Sequence, residues 1–389
     1  AAQSKQDSLT NYSLSADIAR ADLYAMNIDD RGTSEVSLTA TAEFSVSEGK
    51  HMNGYAEIQD LILENDDAIY NIGDISLTSD QKEKDYKMNL TSAFAEVAYT
   101  GTASLKNFIN DFQGLTLKKE LPAIFKDTSY TWNGDTYKVN LLCHDMMDVL
   151  AFAVPGLYVE SGTALSTEIG EEGNFIAEIN SGRLAYKKQY LKGLNAIFDN
   201  KNDNLNGAVT SEEIQVSSIK FNDGRLGLFA KNDRVGAGFS YNNDTEVENH
   251  GQLVVHGALS RSQAGLNLAV NVSPSSIYIN SKEWSMQPSS INILGGSISV
   301  DSFGLVSGDE AITINGRTSE TQNDTLTLAL QRFDISLINS LIPEIGIKGA
   351  LTGTANLTSA FQKKGVDVDM ICDSTYIADA PLGVLNIGG

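Results

Sequence analysis

This chain reads as an all-β protein carrying a few short helices. Three observations lead there. First, 33 glycines are scattered through 389 residues that hold only 6 prolines and 8% aromatics, a pattern of many turns and few long helices. Second, residues 289–330 alternate apolar and polar side chains in three short runs. Ile298 and Val300 share one parity, as do Ile312 and Ile314, and as do Leu326, Leu328 and Leu330. Third, the same alternation recurs along most of the chain in units too narrow to bury their own apolar side, which argues for an elongated, stacked architecture.

The elements follow in order. Residues 13–28 alternate loosely through Leu14, Ala16, Ile18 and Leu23. Residues 36–46 form a long strand with the even positions apolar, and 55–63, 69–77, 88–91 and 94–99 continue the pattern. Residues 79–85 read as a solvated hairpin tip. Leu105, Phe108, Ile109 and Phe112 recur at helical spacing, with Ser104 as the cap. A second helix is expected over 145–152, stopped by Pro155-Gly156. A third is expected over 334–341, with Leu337, Ile338 and Leu341 inward and Pro343 at its end. Helices this short must pack on something to persist.

From Ala164 onward β-structure dominates, which divides the chain into a β-rich part with two short helices (1–163) and a β part (164–389). Ile179-Asn180-Ser181-Gly182-Arg183-Leu184 returns as Phe221-Asn222-Asp223-Gly224-Arg225-Leu226, suiting tight hairpin turns. Gly207, Gly257 and Gly349 each precede Ala and an apolar residue, as if opening a strand. Within 289–330 the turns fall at Gly295-Gly296, 307–309 and 321–324. Gly304 breaks the spacing between Val300 and the pair Phe303/Leu305, as a bulge would. Residues 199–207 (DNKNDNLNG) serve equally as a boundary or as a loop tip.

Bulk chemistry excludes several functions. The net charge of −22 repels nucleic acid and disfavours non-specific attraction to anionic bilayers. Its simplest role is to keep a sheet-rich surface in solution. Cys143 and Cys372 are too few for a disulfide framework. A single bridge is compatible with the count, and two separate buried thiols are the expectation. No signal peptide or lipidation signal is legible. The longest apolar run, 149–159, is about half of what a spanning helix needs and contains Pro155. The abrupt start and the alternating Leu385-Asn386-Ile387 before Gly388-Gly389 read as a soluble part of a longer protein.

Motifs for covalent chemistry or cofactors are missing: there is no nucleophile elbow, phosphate loop, dinucleotide fingerprint or paired-histidine zinc helix. His51, His144, His250 and His256 read as satisfied or exposed, with Cys143-His144 only a weak metal hint. Residues 199–207 superficially resemble a calcium loop, but Lys201 stands where a ligand oxygen is needed and no glutamate closes it. Glu171-Glu172 and Glu212-Glu213 would serve a glycosidase only at a suitable separation. No cofactor and no enzyme activity are expected.

One-sided apolar strand is what remains. If the sheet closes, that face is ordinary core. If it stays open as a trough, it is a large apolar surface that soluble proteins avoid unless it binds something. The residues placed on it are Ile298, Val300, Phe303, Leu305, Ile312, Ile314, Leu326, Leu328 and Leu330.

Several short runs then carry a likeness: Ser273-Pro274-Ser275, Ile277-Tyr278-Ile279, Trp284 and Pro288, residues 298–303, and Ile312-Thr313-Ile314-Asn315-Gly316-Arg317-Thr318-Ser319. Asp324, Leu326, Leu328 and Phe333 follow, then Leu351-Thr352-Gly353-Thr354-Ala355-Asn356-Leu357. In this order and spacing, residues 272–357 resemble the C-terminal part of the TamB family, within the AsmA-like group. Pro381-Leu382-Gly383-Val384-Leu385 also fits that family's recurring strand, and the upstream half is more loosely similar to Bacteroides-type members. The resemblance implies an elongated, twisted β-sheet half-pipe, taco-like, with an apolar inner face. It implies a periplasmic protein of a Gram-negative cell, anchored by an inner-membrane helix absent from this sequence, and a BamA-like outer-membrane barrel protein as partner. The function implied is transport of phospholipid, acyl chains in the groove, between inner and outer membranes. The alternative is a chaperone-like scaffold for outer-membrane protein assembly by strand pairing.

Overall fold

The structure, a computed structural model, describes residues 2–6, 9–47, 52–125, 129–217, 219–263, 265–295, 297–319, 324–340, 346–358, 365–378 and 380–389, without the side chains of 2–6 and 338–340. The protein is all-β, and the strands pair antiparallel. The chain forms two compact units. The first comprises Ala1–Thr116, Tyr130–Asn202 and Val209–Ile214; the second comprises Leu117–Ser129, Asp203–Ala208 and Gln215–Gly389. The sequence-based division at 163/164 falls elsewhere: Ala164–Ile169 pairs along its whole length with Tyr137–Cys143, so the ladder runs straight across it. The change from one unit to the other at Asn202/Asp203 falls within residues 199–207.

The first unit is a meander. Leu9–Asp22, Ser34–Ser47, Met52–Asn65, Ile69–Lys82, Asp85–Ser92 and Ala95–Gly101 each pair with the next, and Ala95–Gly101 continues onto Tyr137–Cys143. The 79–85 tip differs from expectation. Strand pairing persists to Lys82 opposite Asp85, and Ser79 and Gln81 are buried. Ser79 Oγ donates to the Met52 carbonyl at 2.7 Å, and Gln81 Oε1 accepts from Met52 N at 2.8 Å. Side chains that look solvated in sequence serve here as polar ties to the neighbouring strand.

Helix Leu105–Gln113 begins at Ser104, whose Oγ accepts the Asn107 N–H at 3.3 Å. Its inward face is rotated from the predicted one. Phe108 and Phe112 turn in, while Leu105 and Ile109 are exposed. The Phe108 ring meets Tyr137 at 5.6 Å and the Phe112 ring meets Phe175 at 5.5 Å, both edge-on. The helix turns to bury Asp111, which accepts the Tyr137 hydroxyl at 2.5 Å and the Tyr130 hydroxyl at 3.3 Å. A polar network buried with its partners can outweigh two aliphatic side chains left at the rim.

Helix Met147–Ala153 starts after Asp145, whose Oδ1 accepts the Met147 N–H at 3.1 Å. Phe152 joins a cluster with Leu23, Tyr70 and Ile72. Arg31 caps the end of this helix, donating to the carbonyls of Phe152 at 2.7 Å and Ala153 at 3.1 Å. The third expected helix is a 3-10 turn, Ile335–Ser340, and the Ile338 side chain, Leu341 and Pro343 lie outside the described residues.

The repeated Asn-Ser/Asp-Gly segments are not hairpin turns. Gly182 lies inside strand Phe175–Tyr186 and Gly224 inside Ile219–Lys231, with Asp223 at φ 48. Turns built that way stand instead at Asn232-Asp233 (φ 47 and 65) and Asn280-Ser281 (φ 53 and 58), where both central residues take positive φ. Gly207, Gly257 and Gly349 also fall within strands rather than at their starts. At Gly349, φ is 145 and a Cβ would stand 2.8 Å from Cys372 Sγ, so only glycine fits. Cys143 and Cys372 are separate buried free thiols.

Burial raises the Tyr99, Tyr130 and Tyr137 hydroxyls above the ordinary phenol value. Their contribution to stability is therefore complete below about pH 10, where unfolded tyrosine titrates, and is lost as pH rises beyond it. In urea titrations between pH 8 and 11 the wild type should weaken more steeply than Tyr137→Phe. Asp111→Ala, which orphans the Tyr137 hydroxyl, should cost about 1–3 kcal/mol at pH 7.

Candidate functional site

The second unit holds the predicted apolar face, and its ladder registers place every residue of that face. Directly opposed residues of an antiparallel pair share one side of the sheet. Leu305 faces Ile312, which faces Leu330; Phe303 faces Ile314, which faces Leu328; Val300 faces Gly316, which faces Leu326. Ile298 stands one pleat from Val300 on the same strand, Ser297–Ser307. All the residues assigned from sequence thus lie on one face.

A bulge makes this work. Between Val300 and Phe303 the register slips by one residue on the strand. The left-handed residue is Ser302 at φ 58, not Gly304, and its N–H is held by Asn315 Oδ1 at 3.3 Å. A second slip, between Leu330 and Phe333 with Arg332 at φ 48, keeps Phe333 on the same side.

The face extends well beyond the predicted stretch. Ile298 and Val300 face Ile293 and Ile291; these face Leu268 and Val270; and the column continues through Leu259 and Gly257. On the other flank, Leu328 faces Ala355 and then Val368, and Leu326 faces Leu357 and then Val366. Between strands His250–Ser262 and Ser297–Ser307 the sheet is filled by two strand pairs placed end to end. Gly265–Val272 with Ser289–Leu294 fills one half, and Ser275–Ile279 with Lys282–Met286 the other.

Residues from across this sheet line one groove of about 690 Å³. Ile219, Phe239, Leu253, Ile277, Trp284, Leu305, Ile312 and Phe333 all contribute to it. Strands sit about 4.8 Å apart, so side chains separated by several strands reach one groove only if the sheet curves around them. This unit is therefore a trough whose concave side is apolar. Val300 is buried and the other predicted residues are half-buried.

Only Leu305 and Ile312 of the predicted set line the groove itself; Ile298, Val300, Phe303, Ile314, Leu326, Leu328 and Leu330 lie on the same face beyond it. The aromatic wall was missed. Phe221 meets Phe239 at 5.6 Å and Tyr241 at 4.9 Å, edge-on. Trp284, 2% exposed, lies 6.0 Å from Phe333, and its indole N–H has no acceptor among the described residues. The signal was available, since Phe239/Tyr241 and Ile277/Ile279 alternate as plainly as Ile312/Ile314. The first unit carries a hollow of about 320 Å³ on its own sheet, where Leu90, Val97, Leu141 and Leu165 form a column.

The other sequence candidates are not brought together. Glu212 and Glu213 are neighbours on strand Leu205–Val216 and so point to opposite faces. His144 Nε2 lies 3.1 Å from Glu96, and His250 Nδ1 lies 2.9 Å from Asp244. Asp199 Oδ1 accepts the Lys201 N–H at 3.1 Å, so the calcium-like loop folds back on itself. Among the described residues no group of three or more His, Cys, Asp or Glu is placed to hold a metal ion, and no helix is long and apolar enough to cross a membrane.

Comparison with known proteins returns no matching family model, curated protein or solved structure. The likeness to the TamB family rests on the quoted residues alone.

Ser302 is the residue on which the continuous face turns. Ser302→Gly should hold or raise the melting temperature. Ser302→Val, forced into a left-handed conformation, should cost about 1–2 kcal/mol in urea unfolding.

Proposed function

We propose that the concave face of the second unit conducts phospholipid acyl chains between membranes without covalent chemistry. One observation carries this reading: a single apolar face, kept continuous through two bulges, curves around a groove of about 690 Å³. That size lies within the usual range of small-molecule sites. Exposing an acyl chain to water costs about 0.8 kcal/mol per CH₂, so two sixteen-carbon chains would cost about 25 kcal/mol. A trough with many equivalent apolar contacts removes most of that barrier while holding no single position tightly, which suits passage better than storage. The net charge of −22 works against collapse onto anionic membrane surfaces. In this reading the chain acts in the periplasm with a BamA-like barrel as partner, as its resemblance implies.

A second reading, strand pairing with unfolded outer-membrane proteins, is favoured by one feature. Strand Ala380–Gly388 is exposed at every position, and its one pairing among the described residues is with Gly365–Ile377.

Ile314→Asp and Leu328→Asp decide between trough and core. On an open face each should leave the melting temperature near wild type while abolishing phospholipid transfer between donor and acceptor vesicles. Unfolding of both variants would mean the face is closed, because a buried unpaired carboxylate is not tolerated. A photo-crosslinker at position 328 should capture lipid; capture of polypeptide alone would favour strand pairing.

A further inference from the structure

One residue of the apolar groove carries a polar atom that nothing satisfies. Trp284 stands on strand Lys282–Met286, and the ladder fixes its side. Met286, two residues on, faces Leu305 of the groove, so Trp284 shares that face. Across the ladder Trp284 faces Ile277, Ile277 faces Gly251, and Gly251 faces Tyr241. All four line the groove. Gly251 lets the row close up, since a Cβ there would stand 3.0 Å from the Tyr241 ring and 3.1 Å from Ile277 Cγ2.

The indole N–H of Trp284 is closed to water and finds no acceptor among the described residues. Its surroundings explain why. Ile277 and Phe333 are hydrocarbon, and Lys282, over the ring at 5.3 Å, offers only donors. Five buried side-chain atoms among the described residues lack a hydrogen-bond partner, on Ser34, Glu35, Glu120, Trp284 and Ser289; of these residues only Trp284 lines the groove. Asn243, also on the groove, is by contrast engaged at both ends of its amide, donating to the Lys220 carbonyl at 2.7 Å and accepting the Asn222 N–H at 2.5 Å. The chain's other tryptophan, Trp132, donates its indole N–H to the Glu171 carbonyl at 2.8 Å. A buried indole ordinarily has such a partner, because a donor taken out of water without one is costly.

We propose that Trp284 is a specificity-determining residue of the groove, its indole N–H taking the ester carbonyl of an acyl chain that lies there. The ester carbonyl is a strong acceptor at the end of an otherwise apolar chain; a bare hydrocarbon carries none. Because the nitrogen is closed to water, the wall parts as the carbonyl arrives, and the hydrogen bond gained favours acyl esters over chains of equal length without the carbonyl. The inference rests on the acyl-chain reading of the groove, and its test separates the two.

The test compares monomyristoylglycerol with tetradecyl glyceryl ether, which keeps the chain and the glycerol but lacks the carbonyl, each below its aggregation concentration. In calorimetric titration the full-length wild type should bind the ester about tenfold tighter than the ether. Trp284→Phe should bring the ester down to the ether level and leave ether binding unchanged. In the isotope-labelled wild type, the indole N–H resonance of Trp284, identified as the one retained in Trp132→Phe, should move downfield with the ester and not with the ether, while that of Trp132 stays in place. If Trp284→Phe does not fold, the wild-type affinities and this resonance decide. Equal affinity for the two lipids, a Trp284 resonance unmoved by the bound ester, or an ester preference that survives Trp284→Phe would overturn the assignment and leave the groove reading standing. Failure of both lipids to bind would overturn the groove reading, and the assignment with it.

Discussion

Face-sharing across an antiparallel ladder is the constraint on which the second unit depends. Once Ile312 opposes Leu305 and Leu330, an apolar choice at one position recruits a column across the sheet. A slip of one residue anywhere would turn the rest of that strand to the other side. Two of the chain's slips, at Val300/Phe303 and Leu330/Phe333, are each absorbed by a left-handed residue, Ser302 in one strand and Arg332 in another. Both are polar residues in a conformation that glycine would adopt more readily. Both have their backbone N–H caught by a neighbouring side chain, Asn315 and Thr352 respectively.

Curvature follows from the same devices. Bulges strengthen local twist, and several interrupt the ladders of the second unit, at Val300/Phe303, Leu330/Phe333, Lys348/Ala350 and Cys372/Thr375. A flat sheet would leave its apolar face wholly exposed. Curving brings Phe239 and Leu253 to the same groove as Ile312 and Phe333, so the walls partly shield one another. Each large side chain fully covered is worth about 1.5–3 kcal/mol, and half-buried ones realise part of that. The residual exposure is the affinity that a greasy ligand would draw on.

Some polar side chains of the second unit stand at the edge of the apolar face, while others, Glu120, Thr318 and Thr375 among them, are buried. Lys282 and Glu310 stand one side-chain repeat beyond Trp284 and Ile312 on the same face, and they pair with each other there. In the first unit, too, polar groups are taken inside, and with their partners. Asp111 beneath its two tyrosines and Ser79 with Gln81 show that burial there is accepted where hydrogen bonds accompany it.

Strand existence, and the parity of each strand's apolar side, were legible from the sequence because period two depends only on neighbouring residues. The bulge near Gly304 was legible for the same reason, as a break in that period, and so was the Ser104 cap. The helix face around Phe108 was not, because the choice between Ile109 and Asp111 was made by Tyr137 on a distant strand and Tyr130 in the loop before it. The aromatic wall of Phe239, Tyr241 and Trp284 carried a readable pattern, yet nothing in it says which other strands it meets. By itself the sequence determined an antiparallel all-β chain with one apolar side, since pleating converts alternation directly into faces. Only the tertiary structure decided that this side curves into a groove, because curvature comes from how bulges on separate strands line up once they are paired.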